Sequence, residues 1–227
     1  MPEKRKDEIV VGCSTMKAEY AAISEKTGIE RDAIWLESGL HNTPDILVKT
    51  LQDTLDSITG RARVLFIYGN CGNVVQGLRT GDFELIIPRI DDCISMLFGS
   101  QEKREAASEE YAAIYITEGW MDTGHNINDE YRYAREKFDD EMADRIFKMM
   151  YEHYRTMAFL DTGLYDIPAL EDKVRDMTSL LGLEHKVLPA TLSYVQELVA
   201  GPWPEERFVH VPPHAEVPAR AFRPAST

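Results

Sequence analysis

The chain has 227 residues, 44% of them hydrophobic, and its 25 Lys and Arg against 39 Asp and Glu give a net charge of −14. That balance argues against a nucleic-acid surface, which needs basic residues to neutralise phosphates. No apolar run approaches the ~20 residues of a membrane-spanning helix.

Length and apolar content suffice for a single α/β domain over residues 1–213. Three cysteines cannot all pair within one chain, so a reduced, cytoplasmic setting is expected. The charged start MPEKRKDEIVV runs directly into a strand, and no secretory leader is expected.

Residues 7–12 (DEIVVG) form the first predicted strand, with Cys13 directly after it. A helix over 16–24 closes at Gly28, and 33–36 gives a second strand ending in the turn Glu37-Ser38-Gly39. His41 follows that turn just before a helix start. There Thr43 reads as N-cap, Pro44 as the first helical residue and Asp45 as an acid at the positive helix end. Leu47, Leu51, Leu55 and Ile58 then recur on one face. Residues 64–68 read as a buried strand feeding the loop Gly69-Asn70-Cys71-Gly72-Asn73, with a short helix over 74–78 behind it. Another apolar run, 85–88, stops at Pro88 and delivers Asp91-Asp92-Cys93, where either acid can cap a helix over 93–99.

After the charged segment 101–110, residues 112–117 (AAIYIT) form a strand ending at Glu118-Gly119-Trp120, and the loop 121–128 carries His125. From Tyr131 to about Phe159 apolar residues recur every three or four positions, which predicts a long helix with a kink or break. Helices over 168–181 and 190–200, a weak strand over 185–188 and a last strand over 208–211 complete the pattern. The Pro- and Ala-rich stretch 214–227 is expected to be disordered. The repeated strand–turn–helix order predicts an α/β fold. Its mostly parallel sheet is flanked by helices joined through right-handed crossovers, with additional C-terminal helices.

In such sheets the loops at the carboxyl ends of the strands form the ligand crevice. Cys13, Cys71 and Cys93 each follow a predicted strand, and His41 follows another, so the four are expected to meet in one site. Soft thiolates with an imidazole suit zinc, and three thiolates can also hold an iron–sulfur cluster with one iron open. Against this stands the commonplace of the free cysteine buried in a core. Helix N-termini beside Cys71 and Cys93 are expected to lower their thiol pKa values. Asp91, Asp92, Tyr68 and Arg89 are the residues placed for proton transfer, hydrogen bonding or anion binding. Gly69, Asn70, Gly72, Asn73 and Trp120 are placed to line a cofactor. No GxGxxG, P-loop or Gly-x-Ser-x-Gly pattern is present.

The stretches IYGNCGNVVQGL, IIPRIDDCISMLFGS and YITEGW, with Leu40-His41-Asn42 and the later FLDTGLYD and LVAGPWPEERFVHVPP, resemble an uncharacterised family, a domain of unknown function. Its YGxCGN and PRxDDC patterns fall on Tyr68–Asn73 and Pro88–Cys93. The family occurs in methanogenic archaea and anaerobic or metabolically versatile bacteria, with genes often beside corrinoid-dependent methylamine methyltransferases. The resemblance therefore implies one-carbon metabolism, with a metal, a cluster or a corrinoid as cofactor. Three readings follow. In one, a metal-dependent enzyme acts on a small thiol or methylated compound. In another, a non-catalytic carrier serves a methyltransferase partner. In the third, a cysteine nucleophile works with His41 as base.

Overall fold

In the computed structural model, which describes residues 3–222, the strands divide between two sheets. The first has the order β2-β1-β3-β4-β8, built from β1 (Glu3–Cys13), β2 (Ile29–Leu36), β3 (Arg63–Ile67), β4 (Glu84–Pro88) and β8 (Phe208–Val211). Its first four strands run parallel, and β8 pairs antiparallel with β4 along the far edge. The second sheet is parallel throughout: β5 (Ala113–Ile116), β6 (Thr156–Asp161) and β7 (Glu184–Pro189). The mixed α/β architecture with a mostly parallel sheet and further helices is as the sequence predicts; the separate second sheet is a finding of the structure.

Alternation along the strands sorts the core into layers. Ile9, Val11, Val64, Phe66, Leu85 and Ile87 point to one face of the first sheet. There they meet Leu47, Leu51 and Leu55 of α2 (Pro44–Ser57). Each of those leucines is at most 1% exposed and contributes roughly 1.5–3 kcal/mol of burial. Val10, Leu65, Ile67 and Ile86 point the other way, onto α1 (Lys17–Thr27), α3 (Cys93–Phe98) and α9 (Ser193–Ala200). The same layer receives Tyr115, Ala158 and Leu160 from the second sheet, so the two sheets share one core. The outer face of the second sheet, with Ile114, Ile116, Met157 and Phe159, is covered by α6 (Ile127–Lys137), α7 (Asp140–Met150) and α8 (Ile167–Leu181).

The single long helix expected from Tyr131 to Phe159 is corrected to two helices and a strand. Helix α6 ends at Lys137, with Phe138 already extended, and the Asp139 side chain accepts from the Met142 N–H to start α7. Residues 156–160 are buried in succession, as befits an inner strand covered on both faces, so they lack the alternation that marks a half-buried strand. The charged segment 101–110 is helical, as α4 (Gln101–Tyr111).

The stretch expected to be disordered begins at residue 214, yet residues 214–222 are placed. Val217 is 1% exposed; its N–H donates to Leu78 O at 2.8 Å, and its carbonyl accepts from Gly77 N at 3.0 Å. Residues 223–227 lie outside the described residues. At the amino end of the first sheet Glu8 receives Arg31 at 2.6 Å and Arg63 at 2.7 Å, a buried ion network far from the strand ends that carry the cysteines. Among the described residues no helix is long and apolar enough to cross a membrane.

Candidate functional site

The carboxyl ends of β1, β2, β3 and β4 in the first sheet and of β5 in the second open onto one cavity of about 270 Å³. Strand β1 supplies Cys13, the 3₁₀ turn behind it Thr15, and the turn after β2 Ser38, Gly39, His41 and Asn42. Cys71 comes from the loop after β3, Asp92, Cys93 and Ile94 from the start of α3, and Tyr115, Thr117, Trp120 and His125 from β5 and the loop beyond it. The strand-end rule thus brings together the residues it was expected to. An adjoining groove of about 720 Å³ shares Thr15, Ser38 and His125 with the cavity.

Close backbone approach builds the walls. A Cβ at Gly69 would lie 2.7 Å from Ile90 O and 2.8 Å from Asp91 C, so only glycine lets the two cysteine loops touch. Asn70 N donates to Ile90 O at 2.8 Å, and Cys71 N to Asp91 O at 2.6 Å. A Cβ at Gly119 would meet Thr15 O at 1.9 Å, which presses the loop after β5 onto the loop after β1. Cys71 and Asn73 hold positive φ of 43° and 76°, with Gly72 at 73° between them. A non-glycine residue in that region costs on the order of 1–3 kcal/mol, and such strain clusters at functional sites.

All three cysteines are free thiols. Thr15 Oγ1 donates to Cys13 Sγ at 3.2 Å. Burial pushes the Cys13 thiol above its ordinary range, and pushes Cys71 up to about 12. Cys93 is raised well above the usual thiol value, first by burial and then by Cys13, Asp92 and Cys71. The expectation of lowered thiol pKa values is therefore corrected. Cys71 sits in a single 3₁₀ turn with no α-helix behind it, and at Cys93 burial outweighs a helix of six residues.

His41 Nδ1 lies 2.9 Å from Ser38 O. A carbonyl can only accept, so Nδ1 carries a hydrogen toward Ser38, the second-nitrogen contact common in metal-ligating histidines. The His41 ring stacks on Tyr68, with centroids 6.1 Å apart. Tyr68 is 1% exposed, and its hydroxyl has no hydrogen-bond partner among the described residues.

The remaining predicted residues divide. Asp92 lines the cavity, but its Oδ1 accepts from Ser95 N at 2.7 Å and Ser95 Oγ at 2.8 Å, so it is also the cap of α3. Asp91 turns outward and accepts from Gln101 Nε2 at 2.6 Å. Arg89 reaches away from the thiols, donating to the carbonyls of Glu205 and Ala221. Asn70 and Asn73 bond each other at 2.9 Å and share Gln76, so their amides hold the loop in shape. Of the residues expected to line a cofactor, Trp120 is on the cavity wall, whereas Gly69, Asn70, Gly72 and Asn73 lie outside its lining. Sequence reasoning missed Thr15, Ser38, Tyr115 and Thr117. Thr117, directly after a strand and capping a four-residue helix, is the one with a readable signal.

Fold and site together define an α/β protein with three free thiols and an imidazole around a cavity at the strand carboxyl ends. The chain belongs to the family described as protein of unknown function (DUF1638), which matches residues 35–199 and so takes in His41, Cys71 and Cys93 but not Cys13. No curated protein and no solved structure matches the chain.

Proposed function

We propose that Cys13, Cys71 and Cys93 bind a thiolate-held metal centre, a zinc ion or an iron–sulfur cluster, with its remaining position facing the cavity and His41. The observation that carries this reading is that three free thiols from three different strand ends line one cavity. Among the described residues no group of three or more His, Cys, Asp or Glu is already arranged to hold a metal ion. Ligation therefore requires these side chains to rearrange from the positions the structure gives them, with the metal displacing their protons.

The electrostatics favour a metal over a lone nucleophile. The cavity lining includes Asp92 and three thiols but neither Lys nor Arg to stabilise a thiolate. A nucleophilic cysteine needs a depressed pKa, and these are raised. A bound metal cation supplies the missing positive charge.

At about 270 Å³ the cavity falls below the ~300–1,000 Å³ of pockets for drug-sized ligands. A small ligand suits it better than a corrinoid. In the methyl-transfer setting implied by the family resemblance, that ligand is a small thiol or a methylated compound, activated as a metal thiolate. Protein purified anaerobically is expected to carry stoichiometric zinc, or iron and sulfide with visible charge-transfer absorption. Less than about a tenth of an equivalent of any metal, after incubation with zinc or with iron and sulfide, overturns the reading, since a site of three thiolates holds its ion tightly.

A further inference from the structure

We propose that α7 is the contact through which two copies of this chain pair, its helices antiparallel about a two-fold axis. The inference is independent of the thiolate reading, since no residue of α7 lines the cavity. Among the described residues nine large apolar side chains are exposed, and six of them fall between Tyr133 and Tyr154. Exposed apolar residues scattered singly need no explanation, whereas a concentration of them marks an interaction surface. On α7 they are ordered. Met142, Ile146 and Met149 stand at i, i+4 and i+7, which makes one stripe along the helix. Met142 is 42% exposed and Met149 62%, with Met150 beside it at 58%. Ala143 and Phe147 already dock the helix on the second sheet, so the stripe is not needed for the core.

The charges select a second copy as the occupant. Helix α7 opens on Asp139, Asp140 and Glu141 and carries Arg145 and Lys148 in its second half. An antiparallel pair centred between Arg145 and Ile146 sets Met142 of one copy against Met149 of the other. The acidic start of each helix then lies along the basic half of its mate, and Glu141 approaches Lys148 twice by symmetry. A parallel pair would set like charges opposite each other. Asp140 is taken by Arg135, but Glu141 and Lys148 enter no ion pair among the described residues. One helix pair buries less than the ~1,600 Å² of a standard interface, so a dissociation constant in the micromolar range is expected.

Sedimentation equilibrium of the full chain from about 1 to 300 μM brackets that constant. The mass is expected to rise from one chain to two across the range. Met149→Glu places a carboxylate in the apolar contact and is expected to weaken pairing by more than ~100-fold. Glu141→Lys and Lys148→Glu are each expected to weaken it by about tenfold, and the double swap E141K/K148E to restore it. All four variants change exposed positions, so their thermal midpoints should stay at the wild-type value. A wild type that remains a single chain at the highest concentration overturns the proposal, whether the stripe then takes another protein or none. A dimer untouched by Met149→Glu pairs through another face and overturns it equally. Loss in the single swaps without rescue in the double swap overturns the antiparallel arrangement.

Discussion

Cys71→Ser is expected to abolish stoichiometric metal while leaving the fold intact. Serine is nearly isosteric and meets the same backbone demand at φ 43°, so the loop against Asp91 should persist. Its hydroxyl, however, stays protonated near neutral pH and is a poor ligand for a soft metal. Removing a group that only supports a ligand costs about 10–100-fold in affinity, so loss of a ligand itself is expected to exceed ~100-fold. Cys13→Ser and Cys93→Ser should behave alike. Cys13 is the sharper test, because it lies outside the matched family stretch and enters the site only through the fold. Metal analysis with thermal melts in parallel distinguishes the outcomes. Full metal content in any one of the three variants would remove that cysteine from the centre.

The second large effect concerns a residue with no place in the metal site. Glu19 lies on α1, is 1% exposed, and neither carboxylate oxygen has a partner among the described residues. Burial, with the Glu118 charge adding to it, raises its pKa from 4.5 to about 7. The folded protein therefore keeps Glu19 protonated where the unfolded chain has already ionised. Stability from this group is fully present below pH 4.5 and is lost as pH rises through 7. At 1.36 kcal/mol per pKa unit the loss is about 3 kcal/mol. Glu19→Gln cannot ionise and escapes this loss. The stability difference, variant minus wild type, is expected to grow by about 3 kcal/mol between pH 4 and pH 8 in denaturant titrations. A difference that stays constant across that range would show that Glu19 ionises normally in the folded state.

The convergence of the thiols was legible because it depends on topology more than on atomic detail. Cys13, Cys71 and Cys93 follow strands that pair in parallel as β1, β3 and β4, so their loops must emerge on one edge. His41 was legible for the same reason, as a residue after β2. The far wall of the cavity was not. Tyr115, Thr117, Trp120 and His125 come from the second sheet, and that sheet was hidden by its central strand. In Thr156–Asp161 every residue but the last is buried, and such a run continues a helical apolar period as readily as it marks a strand.

The thiol pKa values were misjudged for a related reason. The effect of a helix end can be guessed from sequence, but desolvation depends on what the rest of the chain packs around the group. The segment 214–222 makes the same point from the other side. Its composition reads as a tail, yet one buried valine and backbone bonds to Gly77, Leu78 and Thr80 hold it in place.

The central claim is that three sulfurs from three strand ends share one metal. X-ray absorption at the metal edge of the anaerobically purified or zinc-reconstituted protein reads the ligands directly. Three sulfur neighbours at ~2.3 Å with one lighter or exchangeable ligand are predicted for zinc, and thiolate-ligated iron with bridging sulfide for a cluster. A first shell of nitrogen and oxygen alone, or a single sulfur, would contradict the account.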